Sequence, residues 1–194
     1  MADQLGFFED PAPPLPDGFK YTPEVISRDV EQQLLGRFRE LPFREFEFHG
    51  YTGKRRVISF GWQYDFGKRR LNKADDMPDF LQELRVCAAE FAGVNAAELQ
   101  QVLVSEYSPG AGIGWHRDKA VFGDVIGISL LSPCVFRLRR RAGTTWERVN
   151  LTAEPRSAYL LRGPSRTDWE HSIPGVDALR YSVTYRNLRD DQLG

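Results

Sequence analysis

The chain has 194 residues, 41% of them hydrophobic, which suits one domain with a sizeable core. A formal net charge of -1 gives no global argument for a polyanionic partner, and no apolar run approaches the roughly 20 residues of a membrane span. The acidic start MADQLGFFED lacks the basic residues and apolar run of a secretory signal, so a cytoplasmic protein that does not enter a membrane is expected.

Residues 1–16 end in PAPPLP and read as an extended N-terminal segment. Phe19 to Ile26 reads as a short strand interrupted by Pro23. Ser27 is a plausible N-cap for a helix with Val30, Leu34, Phe38 and Leu41 on its apolar face, closed by Pro42. Residues 44–76 hold two aromatic-rich strand candidates joined around Gly50 and Gly53, then a polar loop from Lys68 to Asp76. This stretch resembles a basic, aromatic flap. A second helix is expected from Asp79 to Ala92, burying Phe80, Leu84, Ala88 and Phe91 and stopping at Gly93.

From Gln101 the character changes to VLVSEY, DVIGISLL, CVFRLRRR, TWERVNL, SAYLLR, WEHSI and RYSVTYR, separated by Gly and Pro. Seven strand candidates without a helical pattern among them predict a mainly β protein with flanking helices, a β-sandwich or jelly roll whose core is residues 100–188. Cys87 and Cys134 have no CxxC or Cys/His spacing and are expected to be reduced, buried and inert. No internal repeat, phosphate loop or G-x-S-x-G elbow is present, which removes support from most nucleotide-dependent and serine-hydrolase chemistries.

Only three histidines exist, His49, His116 and His171. His116 has Asp118 two residues on, in GWHRDKA, and His171 lies in the later strand DWEHSI. A His-x-Asp pair alone carries little weight, because a lone histidine is more often structural. Together, two histidines and a carboxylate, arranged as a local pair plus a distant third, match the facial triad that holds non-haem Fe(II) and leaves open positions. A cupin would offer more histidines, and a structural zinc site would offer thiolates.

RYSVTYR adds a second element. Tyr181, Val183 and Tyr185 alternate with Arg180, Ser182, Thr184 and Arg186, so one whole face of the strand is polar. That face is either a solvent-exposed edge guarded by arginines or an anchor for a small dicarboxylate, gripped by Arg180 and Arg186 over a floor of Ser182 and Thr184.

The ordered set His116-x-Asp118, His171, Arg180-x5-Arg186, with the lead-in EYSPGAGIGWHRD, the ISL strand and RSAYLLRGPSRTDWEHSI, resembles the AlkB family of Fe(II)- and 2-oxoglutarate-dependent dioxygenases. The resemblance implies a double-stranded β-helix with His116, Asp118 and His171 on Fe(II). It further implies Arg180 on the distal carboxylate of 2-oxoglutarate, a hydrogen bond from Tyr107, and Arg186 near the metal-proximal carboxylate. Ser105 and Ser182 stand where the family often has Asn, and Ala120 stands where several base-repairing members carry an acid. The implied reaction uses O2 and oxidises an N-linked alkyl group, which leaves as an aldehyde while 2-oxoglutarate becomes succinate and CO2.

The flap informs the substrate. Trp62 and Tyr64 are spaced to stack on an extruded base, and Arg55, Arg56, Lys68 and Arg69 to hold phosphates, although packing beneath the flap is the plainer role for the aromatics. Arg137 and Arg139 on one strand face, with Arg140 on the other, would extend a basic track. Three functions stay open: dealkylation of bases in DNA or RNA, the same chemistry on a protein side chain, and a metal-free β-sandwich binding module. None of them requires an obligate protein partner.

Overall fold

The computed structural model describes residues 14–48 and 51–189, the side chains of 46–48 and 51–53 excepted. Most of the expected N-terminal segment, the Gly50 turn and His49 therefore lie outside the described residues.

Strand β1 (Phe19–Thr22) stops one residue before Pro23, which has no N–H to give a ladder. Helix α1 (Arg28–Phe38) starts at Ser27, whose hydroxyl accepts from the Val30 amide at 3.2 Å. Its buried face differs from the expected one. Leu34, Leu35, Phe38 and Glu31 are buried, whereas Val30 is 39% exposed. Glu31 is tolerated inside because its carboxylate accepts from the Leu131 amide and from Arg156.

Strands β2 (Arg44–Phe48) and β3 (Tyr51–Phe60) form a bulged antiparallel pair, followed by a small hairpin of β4 (Trp62–Asp65) and β5 (Arg70–Lys73). Helix α2 (Asp79–Ala92) ends at Gly93 in the left-handed region, φ 66°. Leu81 is fully buried in it alongside the expected Leu84, Ala88 and Phe91. The remaining strands are β6 (Gln101–Tyr107), β7 (Ile113–His116), β8 (Phe122–Leu130), β9 (Cys134–Ala142), β10 (Thr145–Ala153), β11 (Ala158–Leu161), β12 (Glu170–Ile173) and β13 (Arg180–Leu188). A one-turn helix, α3 (Pro164–Thr167), precedes β12. All seven expected strands are present. The unforeseen β7 is only four residues long, and half of IGWH is glycine and histidine.

The strands make a seven-stranded sheet, β1-β11-β8-β13-β6-β3-β2, a four-stranded sheet, β10-β9-β12-β7, and the β4-β5 hairpin. Every pairing is antiparallel. β3 is not confined to a flap, because residues Arg55 to Phe60 pair with β6 inside the large sheet.

Two apolar clusters explain the layering. Val102, Val104, Ile126, Ile128, Tyr181, Val183 and Tyr185 project from one face of the large sheet against Leu34, Phe38, Leu81 and Leu84 of the helices. Tyr107, Val125, Tyr159 and Leu161 from its other face meet Phe136, Leu138, Val149 and Ile173 of the small sheet. The result is a jelly roll with helices on the outer side of the larger sheet.

Cys134 is buried and Cys87 only half-buried, and both are free thiols whose pKa burial raises. Among the described residues no helix is long and apolar enough to cross a membrane.

Gly127 on β8 faces the space between the sheets, and a Cβ there would run into the Tyr159 ring, itself packed 4.5 Å from Phe136. Gly127→Ala should therefore cost about 1–3 kcal/mol through overpacking, and Leu81→Ala about 2–5 kcal/mol through the cavity it leaves. Denaturant unfolding of each variant measures both, and a change within 0.5 kcal/mol would contradict the packing described.

Candidate active site between the two sheets

β13 lies centrally, between β6 and β8, so each of its residues has two cross-strand neighbours that share its face. Ser182 stands opposite Ser105 and Ser129, Thr184 opposite Leu103 and Gly127, and Arg186 opposite Gln101 and Val125. Tyr107 stands between Arg180 and Arg55 of β3. Arg180, Ser182, Thr184 and Arg186 are all buried, so the polar face of RYSVTYR points into the barrel.

The small sheet supplies the facing side. His116, at the end of β7, and His171, in β12, are register partners with ring centroids 4.2 Å apart. Phe136 stacks on His171 at 5.5 Å and 16°. Asp118 follows two residues after His116, and its Oδ1 accepts from Arg186 Nη2 at 3.0 Å. Its Oδ2 is buried without a partner, 3.9 Å from His171 Nε2. His116 Nδ1 lies 2.9 Å from the Gly114 carbonyl, which selects the Nδ1–H tautomer and leaves Nε2 its lone pair.

Burial favours the neutral imidazoles, lowering His116 and, with the neighbouring His116 charge, bringing His171 down to about 3. Burial, the largest single influence on Asp118, raises its pKa, but Arg186 together with His171, His116 and Arg166 outweighs it and holds the carboxyl well below the usual range. Among the described residues no group of three or more His, Cys, Asp or Glu already stands at metal-holding distances. His116, Asp118 and His171 nevertheless approach one another. Two neutral imidazoles beside an unpaired carboxylate oxygen are a donor set suited to Fe(II).

The arginines differ in commitment. Arg186 donates to Gln101 at 2.8 Å and to Asp118, so it braces the carboxylate. Arg180, 1% exposed, donates only to Ser129 Oγ at 2.8 Å, and its Nε and Nη1 are buried without partners. A guanidinium in that condition suits a carboxylate. The Tyr107 hydroxyl has Arg55, Arg180 and Ser182 as neighbours. Burial raises its phenol pKa, but the Arg55 and Arg180 charges lower it on balance.

The flap residues separate. Arg55 is 6% exposed and turned into the barrel, away from any outer phosphate. Arg56 points the other way, ion-paired to Glu106 at 2.6 Å and stacked on Phe43. Lys68 and Arg69 occupy the exposed tip of the β4-β5 hairpin, where the Asp65 carboxylate accepts from the Lys68 amide. Trp62 and Tyr64 are half-buried on one face of β4, with Lys73 over Trp62. Lys119, next to Asp118, lies 5.5 Å over Tyr64 and 5.1 Å over Phe66, which brings the hairpin to the loop carrying Asp118.

On the outer face of the small sheet Arg137 and Arg139 stack on Trp115, Arg139 also on Trp146, and Arg140 pairs with Glu147 on the opposite face. Arg166 was not foreseen. It is buried and donates to the Lys119, Phe122 and Gly123 carbonyls, fixing the loop after Asp118. Its sequence, in a loop between strand candidates, gives no sign of this. Arg55 was expected on phosphate with Arg56; its inward facing follows only once β3 joins β6, where it shares the pleat parity of Val57 and Ser59, opposite to Ile58 and Phe60.

The chain matches the family model of the 2OG-Fe(II) oxygenase superfamily over residues 18–186. It is 30% identical over 200 residues to "Alkylated DNA repair protein ALKBH8 homolog" of Arabidopsis thaliana, covering 89% of this chain and 56% of that one. It is 31% identical over 153 residues to "Alpha-ketoglutarate-dependent dioxygenase alkB homolog 7, mitochondrial" of Mus musculus, covering 77% and 61%. The chain thus spans a little over half the length of these two relatives. In fold it is similar to OsALKBH1, with a TM-score of 0.66 at 16% identity, covering 91% of this chain and all of the other. It is also similar to a prolyl hydroxylase from Trichoplax adhaerens, with a TM-score of 0.61 at 13% identity, covering 90% and 85%. The chain belongs to the 2OG-Fe(II) oxygenase superfamily and is AlkB-like within it, a 2-oxoglutarate-dependent dioxygenase that uses Fe(II) and O2.

Proposed function

We propose that the protein oxidatively dealkylates N-alkylated bases in DNA or RNA, with His116, Asp118 and His171 holding Fe(II). The observation that carries the substrate reading is the Lys119 contact, which seats an aromatic hairpin with a basic tip beside the Asp118 loop. Trp62, Tyr64 and Phe66 offer rings on which an extruded base stacks, and Lys68 and Arg69 offer charge to phosphates. The name of the Arabidopsis relative, an alkylated DNA repair protein homolog, supports the same reading. Arg55 and Arg56 are not part of this phosphate contact, since one is buried and the other paired.

Fe(II) with 2-oxoglutarate and O2 supplies the oxidising power, releasing succinate and CO2. The chain does the rest. Arg186 keeps Asp118 ionised and directs its free oxygen toward His171. The Gly114 carbonyl orients His116, and Phe136 limits the tilt of His171. Arg180 and Tyr107 receive the distal carboxylate of 2-oxoglutarate, while Ser105, Ser182 and Thr184 line the floor. The buried walls exclude water from the reacting centre. Two free thiols fit a reducing compartment, and we place the protein in the cytoplasm.

Formaldehyde release across matched sets of methylated DNA, RNA and peptide tests the substrate class. Release from an oligonucleotide is expected, and release from peptide alone would overturn the nucleic-acid reading in favour of a protein side chain. His171→Ala should abolish formaldehyde and succinate formation together. Arg180→Met should weaken 2-oxoglutarate by about 2–5 kcal/mol, the loss typical of a buried charge partner, and an unchanged dependence on 2-oxoglutarate would remove its assigned role. Replacing Lys68 and Arg69 by Ala should weaken oligonucleotide binding and lower its salt slope by up to about 2, leaving uncoupled 2-oxoglutarate turnover intact. Equal binding at all salt concentrations would mean that the hairpin tip does not meet phosphate.

A further inference from the structure

The outer face of the small sheet carries more positive charge than its own acids can pair. Register places Arg137, Arg139 and Arg141 of β9 on this face with Trp146 and Arg148 of β10 and with Glu170 and Ser172 of β12. Trp115 joins them from β7, one residue before His116. Phe136, Leu138 and His171 point the other way, into the barrel. The strand residues of the outer face thus bring four arginines and one acid, in a chain whose net charge is -1.

Rings and guanidiniums are interleaved there. Arg139 Cζ lies 4.3 Å from the ring centre of Trp115 and 4.3 Å from that of Trp146, with Arg137 4.9 Å from Trp115 and Arg141 5.4 Å from Trp146. Arg139 and Arg137 are anchored through Nε, to Glu170 at 2.7 Å and to Ser172 Oγ at 3.0 Å. Covering the sheet does not call for this arrangement. Arg148 stands directly opposite Arg139, and like charges so placed destabilise a ladder. Arg148 is exposed and makes no hydrogen bond, ion pair or ring contact among the described residues. Arg141 is exposed too, its Nε donating to the Gly143 carbonyl at 3.1 Å. Glu147, the other acid of β10, belongs to the opposite face with Arg140.

A partner that relieves this repulsion brings several separated negative charges, and one that also uses the interleaved rings brings flat groups beside them. Single-stranded nucleic acid does both, with phosphates for the guanidiniums and bases to stack on indole and guanidinium planes. Alternate residues of a strand are roughly 7 Å apart, so Arg137, Arg139 and Arg141 form an extended row. We infer that the outer face of the small sheet anchors a single strand of nucleic acid, on the side of β7 and β12 away from His116 and His171. It is a second binding surface, apart from the β4-β5 hairpin, and holds a strand whether or not that strand contains the base to be oxidised. An acidic polypeptide would meet the arginines and leave the rings unused.

Fluorescence anisotropy of the Mn(II)- and 2-oxoglutarate-loaded protein, with a labelled oligothymidylate and an abasic strand of the same length, tests the inference without turnover. Replacing Arg141 and Arg148 together by Gln should weaken both strands about two- to thirty-fold, the range for two exposed ion contacts, and lower the salt slope by roughly 1.4. Trp146→Leu should weaken oligothymidylate about five-fold or more, with the abasic strand and the salt slope unchanged. If Trp146→Leu does not fold, Trp146→Tyr should show a smaller loss of the same kind. Unchanged oligothymidylate binding in the arginine variant overturns the inference. So does a tryptophan variant that binds oligothymidylate normally or loses both strands equally, since the face would then recognise charge alone. The Lys68 and Arg69 variant separates the two surfaces. If it weakens the strand and the Arg141 and Arg148 variant does not, only the outer-face inference fails, and the reverse result removes the hairpin contact instead.

Discussion

The pairing of β13 with both β6 and β8 is the constraint on which the rest of the structure depends. Once Val183 stands opposite Val104 and Ile128, the pleat forces Ser182 to stand with Ser105 and Ser129 on the other side. One face of the sheet is then fit only to bury against helices, and α1 and α2 do so. The other is fit only to enclose a polar ligand. The small sheet closes over it, bringing His116 and His171 opposite one another.

Enclosing that many polar groups is unfavourable unless each finds a partner, and the interior shows where partners are supplied by the chain and where they are not. Arg166 satisfies three carbonyls and Arg186 satisfies Gln101 and Asp118, so these cations hold the frame. Among the described residues, the orphaned atoms within the barrel are Asp118 Oδ2, Arg180 Nε and Nη1, and Arg186 Nε. Their chemistry matches the two components that the superfamily uses, a divalent cation and a dicarboxylate. Positive charge stands at both ends, with Arg186 on Asp118 and Arg180 keeping two unpartnered donors, while the lone pairs of the histidines and of Asp118 Oδ2 are gathered at one of them.

Much of this was legible because the signals are local. RYSVTYR declares its two faces within seven residues, Ser27 and Gly93 mark helix ends by their own chemistry, and the seven later strands are bounded by Gly and Pro. What escaped depends on distant neighbours. Val30 fits a helical stripe as well as Leu35 does, and only the docking direction of α1 exposes one and buries the other. Arg55 and Arg56 read as one basic cluster until β3 joins β6, when the pleat sends one into the barrel and the other to Glu106. The ordered set of His116, Asp118 and His171 pointed to a site, but the cross-strand opposition of the two rings is a property of register that no single segment encodes.

Register also bears on how the chain tolerates changes in length. Arg180 and Arg186 are six positions apart, an even interval, and therefore share a face. Inserting or deleting one residue between them would turn one guanidinium toward Val104 and Tyr185 and move an aromatic ring into the barrel, whereas two residues would preserve the facing and alter only the spacing. Length variation in descendants of this sequence is thereby confined to hairpin tips and connections such as the turn between β4 and β5, where no parity has to be conserved.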